Sequence, residues 1–185
     1  WEIVRPAEDY LGDNESITLA GWRRLSVCLR NVTHLGVVKC NFDDEGARAI
    51  LMALAGNSCL KSLQLDFNYA ITDMIWKDIA YMLCDKTSIG SVHSSNHTLQ
   101  ELYIPHLTFP EEVVSLLTMN RNEDKSEVAR QKILNHHFLA RGNNANVFSR
   151  MPETMMPFSM EWIGRNRLGY SLMYNVVRDN PTLFD

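Results

Sequence analysis

The sequence predicts an α/β chain in which a strand–turn–helix unit recurs in tandem and an all-helical tail follows. Three observations predict it. Within Leu60–Leu83 the apolar period changes: Leu63 and Leu65 alternate as on a strand with one buried face. Trp76, Ile79, Ala80 and Leu83 then fall at i, i+3, i+4 and i+7, the stripe of an amphipathic helix. Val32, Leu35 and Val37 stand 28 positions before Leu60, Leu63 and Leu65, with Cys40 and Phe42 in the turn and Ala47, Ile50, Leu51 and Leu54 repeating the helical stripe. Beyond Ile104 no strand pattern recurs. A unit this small cannot bury its own apolar face, so neighbouring copies must stack to make a core.

The elements follow in order. Pro6, Gly12, Asp13 and Asn14 have the composition of turns, and Ile3 with Val4, or Tyr10 with Leu11, supply the remnant of a first strand. On that reading the array begins before Trp1. Ile17, Gly21, Trp22, Leu25 and Leu29 mark the first helix, with Thr18 as its N-cap. Asn31 and Asn57 are placed to end the first and second helices. Asp43, Asp44 and Glu45 precede the second helix, where carboxylates meet the positive end of the helix dipole; they lack the alternating ligands and closing Glu of a calcium loop. Residues 85–98 form a Ser-rich polar insertion, read either as a flexible loop or as a specificity segment. Leu99, Leu102 and Ile104 begin a fourth strand. Pro110, Glu111 and Glu112 then open a helix carrying Val113, Leu116 and Leu117. A further helix is expected from Ser126 to Gly142, with short helical segments near 147–151, 157–163 and 169–179. The expected division is 1–108 for about three repeats and 109–185 for a helical C-terminal cap.

Val32-x-x-Leu35-x-Val37-x-x-Cys40-x-Phe42-x-x-x-Gly46 and Leu60-x-x-Leu63-x-Leu65-x-x-Asn68 resemble the leucine-rich repeat of the ribonuclease-inhibitor type. The segments SITLAGWRRLS, SSNHTLQEL, SEVARQKIL, EWIGR and SLMYNVVR are similar to the large leucine-rich-repeat families of microalgae. The resemblance implies a short right-handed solenoid with parallel strands on a concave face and helices outside. Two departures stand out: Leu60 to Leu99 spans 39 residues, and Ile75 replaces the glycine found at Gly21 and Gly46.

The bulk numbers exclude some functions. At 185 residues, 45% hydrophobic and 22% charged, the chain suits one core rather than a disordered or fibrous polypeptide. A net charge of −4 argues against a nucleic-acid groove, which needs clustered Lys and Arg. No apolar run reaches the ~20 residues of a membrane-spanning helix. Cys28, Cys40, Cys59 and Cys84 lack zinc or redox spacing and read as free thiols, which fits an intracellular, cytoplasmic or nuclear, setting. The acceptor patterns at Asn31-Val32-Thr33 and Asn96-His97-Thr98 are then accidental.

Catalytic and metal signatures are missing from the sequence, so no cofactor or metal is expected. His136 and His137 are adjacent on a helix and diverge by about 100°, so they cannot chelate one ion together. The Met-rich run from Met151 to Met160 reads as core filler. What remains is the strand face. By the period of two, His34, Gly36 and Val38 point outward from one strand, Ser62, Gln64 and Asp66 from the next, and Glu101 and Tyr103 from the fourth. Together they predict a surface that displays acidic, amide and aromatic groups to a protein partner, in a monomer or a weak homo-association through an open repeat edge. The resemblance also allows a regulatory subunit, GTPase-activator-like or a ubiquitin-ligase substrate receptor. A more distant reading places an enzyme site in the tail around His136 and Arg165.

Overall fold

A computed structural model of the chain describes residues 8–14, 17–25, 29, 31–41, 43–55 and 57–139, together with Pro157, Met160, Glu161, Gly164 and Tyr174. The elements in chain order are β1 (Glu8–Gly12), α1 (Leu19–Leu25), β2 (His34–Val38), α2 (Asp44–Leu54), β3 (Ser62–Gln64) and α3 (Ile75–Leu83). They continue with α4 (Ile89–His93), β4 (Glu101–Tyr103), α5 (Glu111–Met119) and α6 (Lys125–Ile133), which runs into a π-helical turn, Leu134–Leu139. The four strands form one parallel sheet in the order β1-β2-β3-β4. Parallel neighbours cannot be joined by a hairpin, so each connection crosses back through a helix. The fold is therefore α/β, and the first strand contains Tyr10 and Leu11.

The register explains why the periods in the sequence are so regular. His34 pairs with Ser62 and Ser62 with Glu101; Leu35, Leu63 and Leu102 form the next row, and Gly36, Gln64 and Tyr103 the third. Leu35, Val37, Leu63, Leu65, Leu102 and Ile104 are buried, as are Ala47, Ile50, Leu51 and Leu54 of α2. Helix α3 buries Ile75, Trp76, Ile79, Met82 and Leu83, while Ala80, expected on the stripe, is half-buried. Neighbouring helices pack in sequence, α1 on α2, α2 on α3 and α3 on α5. Each buried leucine removed from water contributes roughly 1.5–3 kcal/mol, so this layer supplies much of the stability of the sheet and its helices.

Polar groups tie one unit to the next at the same spacing. Asp43 caps α2, its carboxylate accepting from Gly46 N–H at 2.9 Å. Asp44 accepts from Thr72 N–H (2.8 Å) and Thr72 Oγ1 (2.6 Å), and Arg48 Nε donates to Asp78 at 3.1 Å. Glu45 pairs with Arg23 at 3.4 Å. The acidic trio is thus spent on a cap and on contacts between units. Thr18 Oγ1 accepts from Gly21 N–H at 3.3 Å at the start of α1.

Two sets of asparagines do more. Asn68 Nδ2 donates to Val37 O (2.7 Å) and Leu65 O (3.1 Å), while its Oδ1 accepts from Cys40 N–H (2.9 Å), stitching the turn after β3 to the turn after β2. On the other side of the strands, Asn57 donates to Leu29 O and Val32 O and accepts from Cys59 and Leu60 N–H. Asn96 repeats this, donating to Leu54 O and Asn57 O and accepting from Thr98 and Leu99 N–H. Asn120 donates to Asn96 O and Leu99 O, but its Oδ1 has no partner. The ladder stops there: Lys125 Nζ donates to Asn120 O at 2.6 Å, taking the place that the next asparagine amide would hold. Burial pushes the Lys125 ammonium below its ordinary pKa; the Lys61 charge adds to this and Glu123 opposes it.

Several details depart from expectation. The 85–98 insertion contains α4, whose Ser88 Oγ accepts from Ser91 N–H at 3.0 Å and whose Ile89 and Val92 are buried. Helix α6 begins at Lys125 and changes to π geometry at Leu134. Asn96 is 1% exposed, so the acceptor pattern there is a structural asparagine.

The chain forms two compact units, 1–84 with 95–125 and 85–94 with 126–185. The first runs past the expected 108/109 division because α5 packs on α3. The second contains α4 and α6 from Ser126 onward, with Val128, Ala129, Ile133, Leu134 and the whole of Lys132 buried. Cys28, Phe42, Arg165 and most of the expected tail helices lie outside the described residues; Pro157, Met160, Glu161, Gly164 and Tyr174 are each helical.

Candidate functional site

The strand face is built by the pleat. Because Leu35, Leu63 and Leu102 point into the core, their neighbours on either side point out. Register then arranges those neighbours in two rows, His34–Ser62–Glu101 and Gly36–Gln64–Tyr103. Gln64, Glu101 and Tyr103 are exposed, and His34, Val38 and Asp66 are half-buried. Gly36 and Ser62 are buried instead. Gly36 has no side chain to rise above its neighbours, and Ser62 is a short residue between the longer His34 and Glu101. The eight predicted residues therefore divide into a floor, Gly36 and Ser62, and a surface made by the other six.

The rigidity of this surface comes from below and from the ends. His34 Nδ1 lies 3.1 Å from Thr33 Oγ1. Asp66 O accepts from Lys39 N–H at 3.0 Å, just as Val38 O accepts from Asp13 N–H at 3.1 Å. Asp13, Lys39 and Phe67, each following a strand, all adopt positive φ, 55°, 52° and 58°. Three equivalent residues in one uncommon conformation show that β1, β2 and β3 end in the same sharp turn.

Past these turns lies a group of aromatics that the strand pattern did not reveal. Phe67 and Tyr69 are 57% and 72% exposed, their rings edge-to-face at 6.4 Å. Tyr69 lies 5.5 Å from His106, whose Nε2–H donates to Ile71 O at 3.0 Å. The signal was present as Asp66-Phe67-Asn68-Tyr69, where large apolar side chains flank a turn asparagine. The sequence carries one local trace of the Asn57, Asn96 and Asn120 ladder: Asn57-x-x-Leu60 and Asn96-x-x-Leu99 share one spacing ahead of a strand.

Chemistry elsewhere is sparse. Among the described residues no group of three or more His, Cys, Asp or Glu side chains is placed to hold a metal ion. His136 and His137 fall in the π-helical turn and are half-buried. Burial lowers the pKa of His137; the Ser88 backbone pulls the other way but lies outside hydrogen-bond geometry to either ring nitrogen. Cys40 and Cys84 are buried free thiols and Cys59 is a half-buried one. Among the described residues no helix is long and apolar enough to cross a membrane.

Compared with protein-family models, with curated proteins and with solved structures, the chain matches none.

Proposed function

We propose that this chain is a non-catalytic protein-interaction module, a short leucine-rich-repeat solenoid of the ribonuclease-inhibitor type that presents its strand face to a protein partner. The observation that supports this reading is the aligned exposure of Gln64, Glu101 and Tyr103 beside the buried leucine row. Side chains held at fixed spacing by a parallel sheet need little further ordering when a partner arrives, which lowers the entropic cost of association. Tyrosine and charged groups are suited to such a contact because they combine apolar area with polar tips.

The test is affinity capture from the source cells, with the native chain and a Gln64→Ala, Asp66→Ala, Tyr103→Ala variant run in parallel. A protein recovered by the native chain and lost by the folded variant supports the strand face as the working surface. Equal recovery by both would move the contact elsewhere and sink this reading.

A further inference from the structure

Among the described residues strand β4 is the last of its sheet, and the edge turned away from β3 lines a groove. In a parallel ladder successive residues direct their N–H and C=O to opposite edges. Glu101 N–H donates to Lys61 O at 3.0 Å, and Tyr103 O accepts from Leu65 N–H at 2.9 Å, both toward β3. The amide and carbonyl of Leu102 therefore face the side on which the strand order ends. There lies a cleft of about 270 Å³ between β4 and α5. Leu102 and Leu117, each 8% exposed, form its floor, and Tyr103 and Val114, 46% and 47% exposed, form its rims. Gln100 and Arg121 close the end at which the strands begin, fixed there by Asn120 Nδ2 donating to Leu99 O at 2.8 Å.

The asparagine ladder explains why the groove has the form of a strand. At Asn57 and Asn96 the Oδ1 receives the amides that lead the chain into the next strand. At Asn120 the Oδ1 is buried without a partner, and the chain turns into α6 instead. Helix α5 is thus in place along a slot that no strand among the described residues fills. Unpaired strand edges with apolar flanks are sites of strand addition.

We infer that this groove takes an extended segment of a partner protein as a fifth parallel strand. The alternation of β4 dictates its side chains. An acidic residue points toward Arg121, and the next, a basic one, lies beside Glu101 on the outer face. The third, of leucine class, enters between Leu102 and Leu117, and the fourth, aromatic or β-branched, pairs with Tyr103. This mode uses the edge of the sheet, whereas the proposed display reading uses its face; Glu101 and Tyr103 border both, and Gln64 and Asp66 belong to the face alone, so the variant at those two positions separates the readings.

The probe is a fluorescein-labelled synthetic peptide carrying glutamate, lysine, leucine and tyrosine in that order, titrated against the full chain by anisotropy. Saturable binding is expected. Methylating the tyrosine amide, which removes the hydrogen bond to Leu102 O, should weaken binding roughly tenfold. Val114→Trp, at an exposed rim, should fill the groove and abolish binding with the circular dichroism unchanged. Glu101→Lys should reject the lysine peptide and accept one with glutamate at that place, while a Gln64→Ala, Asp66→Ala variant should bind as the native chain does. Equal binding of methylated and parent peptides would overturn strand addition. No saturation, or self-association blocked by Val114→Trp in its place, would overturn the peptide assignment.

Discussion

Asn96 shows how much one amide can hold together. It is 1% exposed and uses its whole capacity, two N–H groups given and two amides received. Replacing it with alanine leaves Asn57 O and the N–H groups of Thr98 and Leu99 buried and unmet, while Leu54 O keeps the bond from Asn57 N–H. Such groups cost roughly 1–3 kcal/mol each before relaxation, so Asn96→Ala should lose about 3–4 kcal/mol. Asn120 occupies the equivalent position with an Oδ1 that has no partner, so Asn120→Ala should lose only about 1–2 kcal/mol. Urea denaturation of the two variants decides the matter, and equal losses would refute the ladder argument. From the sequence, Asn68 is legible as a turn residue because its neighbours place it just after a strand. Asn57 is legible only as a helix end and Asn96 only as a local acceptor pattern. The carbonyls to which they donate lie 25 to 42 residues away, beyond any local signal.

Elements in this protein are decided by period where the period is long enough to see. Helix α2 has eleven residues and a buried stripe at Ala47, Ile50, Leu51 and Leu54, and the sequence specifies it without help. Helix α4 has five residues and two buried positions, Ile89 and Val92, which is too short a run for a 3.6-residue period to emerge. Its start depends on the Ser88 cap, a single hydrogen bond. The strand ends are a different case, because their geometry is left-handed at residues with side chains. Lys39 adopts φ 52° and makes an exposed ion pair with Asp13 at 3.0 Å. The left-handed conformation costs a non-glycine residue roughly 1–2 kcal/mol, glycine returns about half of that in lost chain entropy, and an exposed pair contributes little. Lys39→Gly should therefore stabilise the protein by ~0.5 kcal/mol in thermal or urea unfolding. A clear destabilisation would mean that the Lys39 side chain contributes more than the strained backbone costs.

At the scale of the whole chain, the two compact units rest on different chemistry. The first is a parallel sheet with helices stacked by repeated contacts, insensitive in its core to pH because Leu35, Leu63 and Leu102 carry no charge. The second holds His137, whose pKa burial depresses below the ordinary 6.5. The unfolded chain then binds the proton more readily than the folded one. Stability from this group is fully present above pH 6.5 and is lost as pH falls from there through the lowered folded value. His137→Gln, which cannot titrate, should flatten that acid-side decline in urea midpoints measured from neutral to mildly acidic pH. An unchanged profile would show that the ring is solvated when charged.

By itself the sequence determines the alternation of strands and helices, and which side chains of β2, β3 and β4 face the core and which point the other way. These are local properties: the period of two and the period of 3.6 are written in neighbouring residues, and burial follows them. The division of 1–84 and 95–125 from the remainder, the pairing of β3 with β4 across a 39-residue offset, and the burial of Gly36 and Ser62 are decided only by the tertiary structure. So are the asparagine ladder, its end at Lys125, and the open edge of β4 beside α5. Each depends on groups far apart in the chain, and hydrogen bonds and clefts form where the fold brings those groups within about 3 Å of one another or leaves a strand's edge unmatched.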